Sequence, residues 1–242
     1  MQEIGRYRLR VADGAHDLHA AQRLRHLAFH GDATQRDEDD FDALCTHYLI
    51  EEVQGGRLVC VFRMLPIHSG DQVGQSYSAQ FYELDALRHY PGRMVEMGRF
   101  CMHPDVHDAD VLRVAWGAMT SYVDENKVEL LFGCTSFEGT DAGTYLDSFA
   151  MLRDRHLAPK RWLPRVKAPN VFRFAARLRH TPNLKAAQLS MPPMLRSYLL
   201  MGGWVSDHAV VDQKMNTLHV FTGVEVKAIP AARKRLLRAL AC

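Results

Sequence analysis

A short, nearly unbroken apolar run restricts the folds open to this chain more than any other feature. The run 128–134, VELLFGC, contains a single charged residue, Glu129. Runs of this kind are typical of a central strand that is covered on both faces. Two segments with apolar residues at helical spacing, 110–126 and 144–156, flank it. The pattern predicts an α/β fold, with helices flanking one mixed central sheet.

Further periodic segments extend this sheet. Apolar residues at helical spacing predict a helix over 15–29, and strand patterns occur over 6–11, 47–53, 58–65 and 93–102. Gly55 and Gly56 separate two of these runs, which predicts a hairpin between them. We expect Pro66 to end that hairpin, because proline cannot donate to a strand ladder.

The domain organisation follows from composition and from proline usage. The chain has 242 residues, of which 47% are hydrophobic and 24% charged, which excludes the disordered and collagen-like classes. Beyond Pro159 frequent prolines weaken the periodic pattern. We predict a core over 1–160 and a C-terminal extension over 161–242 that packs on the core within a single domain.

Cysteine usage and apolar run length indicate the compartment. The cysteines are scattered and form no CxxC pair: Cys45, Cys60, Cys101, Cys134 and Cys242. This spacing predicts reduced thiols of a cytoplasmic protein. The first residues lack an apolar signal-peptide region, and no apolar stretch approaches the roughly 20 residues that span a bilayer. We expect a soluble chain, in the cytoplasm or on a membrane surface.

The net charge of +2 is distributed unevenly. The segment 153–185 contains ten Lys or Arg residues and one acid, whereas the rest of the chain carries 20 basic and 27 acidic residues. A second basic stretch, 227–238, adds five of those basic residues. The distribution predicts a docking face for an acidic partner or an anionic membrane. The alternative is a solvated basic surface without a partner.

Two charged residues interrupt the strand pattern of 94–103, MVEMGRFCMH. Glu96 and Arg99 are three residues apart, so a regular strand would place their side chains on opposite faces. A bulge near Gly98 would bring them to one side. Charges in an apolar strand are costly unless they are paired or functional. The segment is therefore a candidate catalytic site, with an ion pair on an edge strand as the alternative.

A second charged cluster fills 36–42, RDEDDFD. A carboxylate cluster can bind the cationic amine of a substrate, although such a run is also typical of a solvated loop. Arg63 stands alone in an apolar strand and Arg25 lies near an apolar helix face, where each is either functional or an ordinary surface residue. The histidines and aspartates of 103–110 lack the spacing of a known metal site, so we predict no bound metal.

The order of these motifs resembles that of acyl-homoserine-lactone synthases, which have the GNAT fold and use acyl-carrier-protein thioesters. The chain more closely resembles the L-ornithine Nα-acyltransferases of ornithine lipid synthesis, over most of its length. The motifs that carry this resemblance are Phe41-Asp42, Gly98-Arg-Phe-Cys-Met-His-Pro-Asp105, Leu131-Phe-Gly-Cys-Thr-Ser-Phe137 and His156-Leu-Ala-Pro159. The resemblance implies transfer of a (3-hydroxy)fatty acyl group from acyl-carrier protein to the α-amine of L-ornithine, giving lyso-ornithine lipid. It implies no metal or organic cofactor.

The resemblance also implies residue roles. Glu96 is the candidate general base, and Arg99 and Arg63 are candidates to orient Glu96 and the substrate carboxylate. Asp40 and Asp42 would attract the cationic side chain of ornithine. The further substrate-binding candidates are Arg25 and Phe29.

The loop 103–110, HPDVHDAD, bears on the acyl donor. It has acids where GNAT enzymes usually carry a Gly-rich phosphate loop, and carboxylates near a helix N-terminus disfavour coenzyme A pyrophosphate. This favours a carrier-protein thioester as donor. Carrier proteins are acidic, so the basic segment 153–185 would dock one. The arginines that we assign to docking are Arg173, Arg177 and Arg179.

Two other functions fit parts of the sequence. An acyl-homoserine-lactone synthase would use S-adenosylmethionine and cyclise its product, but the tryptophan that this family carries before its acidic pair is absent. The basic segment would also suit a binder of nucleic acid or of a membrane surface. Its aromatic residues, Trp162, Phe172 and Phe174, form no repeating stacking pattern, so we predict no nucleic-acid partner.

Overall fold

The computed structural model describes residues 2–240. The strands are β1 (Gln2–Ile4), β2 (Tyr7–Val11), β3 (Thr46–Glu52), β4 (Leu58–Ile67), β5 (Tyr82–Glu83), β6 (Arg93–Met102), β7 (Val128–Glu138), β8 (Arg165–Val166), β9 (Val171–Phe172), β10 (Trp204–Val205), β11 (Ala209–Asp212) and β12 (Thr217–Glu225). The α-helices are α1 (Gly14–His30), α2 (Ala109–Glu125), α3 (Leu146–Arg155), α4 (Phe174–Arg177), α5 (Leu184–Ser190), α6 (Pro193–Leu200) and α7 (Ala231–Leu240).

The chain forms two compact units that are interleaved in sequence. The first unit contains Met1–Pro66, Met97–Val128 and Ala231–Cys242. The second unit contains Ile67–Glu96 and Glu129–Pro230. β6 therefore contributes its first residues to the second unit and its remaining residues to the first.

Antiparallel hairpins build the sheet of the first unit. β2 pairs with β1 and β3, and β3 pairs with β4, with a shift of register after Ile50. Every β4 side chain from Val59 to Leu65 is buried. Both faces of β4 are therefore covered, which explains its nearly continuous apolar sequence.

Two long helices cover this sheet. α1 places Ala21 and Leu24 against Leu49 and Val61 of the strands. The helix ends at Gly31, whose φ of 74° is in the left-handed region that glycine adopts without a steric penalty. α2 packs against β2, β3 and α7.

Antiparallel pairing also organises the second unit. β7 pairs with β12 from Glu138 opposite Thr217 to Leu130 opposite Glu225. β12 also pairs with β10 and β11, and β11 pairs with β9.

Aromatic side chains form the core of the second unit. Phe149 on α3 lies between Phe137 of β7 and Phe174 of α4, with ring centroids 4.9 and 5.2 Å from its own. Ala187 of α5 and Leu195 of α6 pack on the same cluster. Through this core, α4, α5 and α6, which follow α3 in the chain, pack against the sheet.

The predicted α/β class is confirmed, and the helix over 15–29, the hairpin and the strand over 93–102 are found close to their predicted bounds. Two boundaries are wrong. β4 continues through Pro66 to Ile67, and β7 continues beyond 134 to Glu138, where it pairs with β12, a strand that the sequence left unassigned. The division into a core over 1–160 and an extension over 161–242 stays a prediction. The boundaries of the two compact units lie at other residues.

A buried histidine in the second unit links its stability to pH. His219 on β12 is 3% exposed, and the hydroxyl of Tyr82 donates to its carbonyl oxygen at 2.7 Å. Burial lowers the pKa of His219 to about 4, with a smaller lowering by His208 and an opposing effect of Asp212. The folded state therefore holds this imidazole neutral at neutral pH.

We expect acid to destabilise the protein through His219. Its pKa in the folded state is below the unfolded value, so the stability is fully present above pH 6.5 and is lost as the pH falls towards 4. The loss is about 2–3 kcal/mol by pH 4. Urea unfolding at pH 7, 5.5 and 4 should show a weaker pH dependence for His219→Phe than for the unaltered chain. Identical pH dependences would contradict this origin.

Candidate active site

The first unit contains a buried network of three arginines and three aspartates. Arg25 on α1 is 1% exposed; its Nε donates to Asp37 Oδ2 at 2.8 Å and its Nη1 to Asp42 Oδ1 at 2.6 Å. Arg63 on β4 is 3% exposed and donates to Asp39 at 2.6 and 2.8 Å, and also to Asp42.

Arg99 on β6 closes this network. Its Nε donates to Asp37 Oδ2 and its Nη2 to Asp39 Oδ2, each at 2.9 Å. Every member therefore contacts two members of opposite charge. The order around this charged ring is Arg25, Asp37, Arg99, Asp39, Arg63 and Asp42, which contacts Arg25 again.

The ring favours the charged forms of Asp39, Asp42 and Arg63. Burial alone would raise the pKa of the Asp42 carboxyl, but hydrogen bonds from Arg25 and Gln22, with the charges of Arg25 and Arg63, lower it well below its usual range. Burial also opposes ionisation of Asp39, yet Arg63 and Arg99 lower its pKa. Burial would lower the pKa of Arg63, but its hydrogen bond and ion pair with Asp39 raise it. The ring therefore carries no net charge near neutral pH.

The backbone at Arg99 is unusual. Its φ is 53°, in the left-handed region that residues other than glycine rarely adopt. The sequence predicts a bulge near Gly98. In the structure the left-handed backbone conformation lies one residue later, at Arg99. Such a conformation costs on the order of 1 kcal/mol and persists where surrounding contacts require it. Here those contacts are the hydrogen bonds of Arg99 to Asp37 and Asp39.

The structure separates the candidate substrate residues by burial. Asp42 is 7% exposed, and its carboxylate is occupied by two guanidinium groups and by Gln22. Asp40 is exposed. Phe29 is half-buried and packs on the cluster that joins α1 to the sheet. The ring thus brings together Arg25, Arg63, Arg99 and Asp42, all four singled out from the sequence.

Three donors of the second unit hold the Glu96 carboxylate. Glu96 is 4% exposed; Oε2 accepts from the Tyr77 N–H at 2.7 Å. Oε1 accepts from the Ser78 N–H at 2.7 Å and from the Ser78 hydroxyl at 2.5 Å. Ser78 Oγ also lies 3.4 Å from Cys134 Sγ. The sequence analysis missed Tyr77 and Ser78, because no periodicity or motif distinguishes their loop.

A carboxylate occupies the N-terminus of α2. Asp108 Oδ1 accepts from the Asp110 N–H at 2.9 Å, and Oδ2 accepts from Arg6 at 2.6 Å and from the Tyr7 hydroxyl at 2.8 Å. The adjacent cavity of about 440 Å³ is also lined by the acids Glu52 and Asp105. This helix end is therefore already capped by an anion of the chain itself.

The other predictions concern metals, membranes and docking. In residues 2–240, no group of three or more His, Cys, Asp or Glu side chains is placed to bind a metal ion. No helix of that range is long and apolar enough to cross a bilayer. Arg173, Arg177 and Arg179 are exposed, and none pairs with an acidic side chain in the part of the chain that the structure describes.

The fold and these clusters define an acyltransferase of the GNAT class. Residues 23–117, which include all six members of the charged ring, match the family described as acetyltransferase (GNAT) domain. Over 98% of its length the chain superposes on FeeM, an N-acyl amino acid synthase from uncultured soil microbes, covering 97% of that chain with a TM-score of 0.51 and 11% identity. This likeness concerns the fold alone.

The relatives in sequence define the family. The chain is 30% identical to the L-ornithine N(alpha)-acyltransferase of Rhodobacter capsulatus over 238 residues, which cover 92% of this chain and 91% of the relative. It is 26% identical to the protein of that name from Brucella abortus, over 93% of this chain and 86% of the relative. The chain therefore belongs to the L-ornithine N(alpha)-acyltransferase family and is an acyltransferase.

Asp42→Asn should destabilise the first unit, because it leaves Arg25 and Arg63 with less counter-charge in a buried site. Removing one partner of a buried ion pair costs about 3–5 kcal/mol. Urea unfolding at pH 7 measures the loss. Asp40→Asn makes the same chemical change two residues away on an exposed side chain and should alter stability little. Equal stabilities of the two variants would show that the ring contributes nothing.

Proposed function

We propose that the chain transfers a fatty acyl group, 3-hydroxylated or not, from an acyl-carrier-protein thioester to the α-amine of L-ornithine, giving lyso-ornithine lipid. The observation that carries this proposal is the similarity over nine-tenths of the chain to proteins named L-ornithine N(alpha)-acyltransferase. The thioester is a co-substrate, so the proposed reaction needs neither a metal nor an organic cofactor.

The reaction requires a deprotonated amine, because an ammonium has no lone pair with which to attack the thioester. We assign the proton acceptor to Glu96, directly or through a water. The two backbone N–H groups and the Ser78 hydroxyl support this assignment, since they fix both carboxylate oxygens in position. A fixed base reduces the ordering that the transition state requires.

The charged ring supports a role in substrate positioning. Arg63 and Arg99 are held rigidly by their aspartates, and we assign to them the orientation of the substrate carboxylate. We assign attraction of the ornithine side-chain ammonium chiefly to Asp40, which is exposed, rather than to Asp42, whose carboxylate is already occupied. Arg25 would then act through the ring, and Phe29 through packing.

The capped end of α2 supports a carrier protein as the acyl donor. Helix N-termini bind phosphates through free N–H groups and a positive dipole. Asp108 already accepts from the Asp110 N–H and places a negative charge at that end. A coenzyme A pyrophosphate would therefore meet repulsion from Asp108 and from the neighbouring Asp105. A carrier protein, by contrast, brings its own docking surface.

Lipid analysis of cells that express the chain tests the function. Mass spectrometry should detect a new acyl-ornithine, and acyl transfer in vitro should require ornithine. An acyl-homoserine lactone in its place would indicate the alternative enzyme. Glu96→Gln keeps the shape of the side chain and should lower the kcat of the folded enzyme by about 100-fold or more. Its amide NH2 also meets a backbone N–H donor, so a loss of about 1–3 kcal/mol in stability is expected, and circular dichroism should confirm that the variant is folded at the assay temperature. Glu125→Gln, an exposed glutamate on α2, is the matched control. A near-normal kcat for Glu96→Gln would remove Glu96 as the base.

Charge reversal tests carrier docking. Changing Arg173, Arg177 and Arg179 to Glu should raise the KM for acyl-carrier protein steeply and leave activity on a small acyl thioester nearly unchanged. Salt should have the same effect as the variant, because exposed charges are screened over about 8–10 Å. The same change at three other exposed arginines, Arg23, Arg88 and Arg113, is the control. An unaltered KM in the first variant would place docking elsewhere.

A further inference from the structure

Exposed leucines are concentrated in the part of the chain that lacks acids. The segment 155–206 contains ten Lys or Arg residues and no Asp or Glu. It makes up about a fifth of the sequence, yet it holds four of the seven large apolar side chains that are exposed in the part of the chain that the structure describes. They are Leu157, Leu184, Leu189 and Leu200. Leu189 is 75% exposed, the largest exposed fraction among these seven side chains.

On each of the helices α5 and α6, one basic residue lies one helical turn before an exposed leucine. Lys185 and Leu189 are four residues apart on α5, and Arg196 and Leu200 are four apart on α6, so each pair shares one helix face. All four side chains are exposed. We call these four residues the α5–α6 face.

Arg196 joins the two helices of this face. Its Nη2 donates to the carbonyl oxygens of Gln188, at 2.6 Å, and Met191, at 3.1 Å, which lie on either side of Leu189 in sequence. Arg196 is therefore beside Leu189, while Leu200 follows one turn later on α6. These contacts fix α6 against the end of α5.

The charge of this face is not compensated. The partners of Arg196 are neutral carbonyl groups, and neither Lys185 nor Arg196 pairs with an acidic side chain within residues 2–240. Leu189 and Leu200 are thus exposed on the same helices as two positive charges without acidic partners. Leucines flanked by basic residues at helical spacing fit a surface that is apolar inside and anionic outside.

We propose that the α5–α6 face docks on an anionic lipid bilayer. Leu189 and Leu200 enter the boundary between headgroups and acyl chains, while Lys185 and Arg196 stay among the phosphates, as amphipathic helices do at membrane surfaces. This contact is independent of the identity of the acyl acceptor. It would place the chain on the surface where a product with a long acyl tail partitions.

Vesicle flotation without substrates tests the proposal. The full chain should float with vesicles of phosphatidylglycerol and phosphatidylcholine at 0.1 M salt, and far less with phosphatidylcholine alone. The double variant Leu189→Ser, Leu200→Ser should lower the partition coefficient by about tenfold or more. Lys185→Gln should lower it by about fivefold at low salt and less at high salt. Val11→Ser, at a half-exposed apolar residue of β2, should bind as the unaltered chain does.

Other outcomes would overturn the proposal. They are an unaltered chain that does not float with anionic vesicles, or a double variant that floats as well as the unaltered chain. A double variant that still floats but has a raised KM for acyl-carrier protein would identify the face as a protein-docking surface instead. Unfolding temperatures and activity on a small acyl thioester should match those of the unaltered chain, because both leucines are exposed. If no acyl-ornithine is formed but flotation follows these expectations, the proposed function fails and the membrane contact stands.

Discussion

The charged ring is the interaction on which the first unit depends. It joins α1, the irregular loop that carries the three aspartates, β4 and β6 through six ionic contacts. The two contacts of Asp42 are buried and the other four are partly buried. Neutralising one member alone would leave an oppositely charged side chain without its full counter-charge. The free-energy cost of such a loss is larger than most single contacts contribute. The loop has little regular structure of its own, and these contacts join it to α1, β4 and β6.

The ring also determines what its members can do chemically. Arg99 keeps a left-handed backbone because two aspartates hold its guanidinium, so the strain and the ion pairs are parts of one arrangement. Asp42 has its carboxylate occupied, which makes it a support, whereas the exposed Asp40 is open to a cationic ligand. Burial alone thus distinguishes two acids of similar sequence context.

The second unit positions its charges in a different way. Glu96 is a buried carboxylate that accepts hydrogen bonds from two backbone N–H groups and a hydroxyl of the same unit. Some of the unit's exposed basic residues, such as Arg173 and Lys185, pair with no acidic side chain in the part of the chain that the structure describes. Arg165, by contrast, pairs with Glu83. Neutral donors of this unit thus fix both oxygens of a buried carboxylate.

Local properties of the sequence determined the α/β class, the strand of Glu96 and Arg99 and the uneven charge. They marked Arg25 and Arg63 only as candidates, each either functional or an ordinary surface residue. Periodicity and composition act over a few residues, so they can be read without coordinates. The tertiary structure decided that Asp37 and Asp39 complete the ring, and that Arg196 lies beside Leu189. Ion pairs form between groups that the fold brings together, here up to 62 residues apart, and Coulomb energy depends on distance in space rather than in sequence. The same reason explains β12, whose partner β7 lies far earlier in the chain.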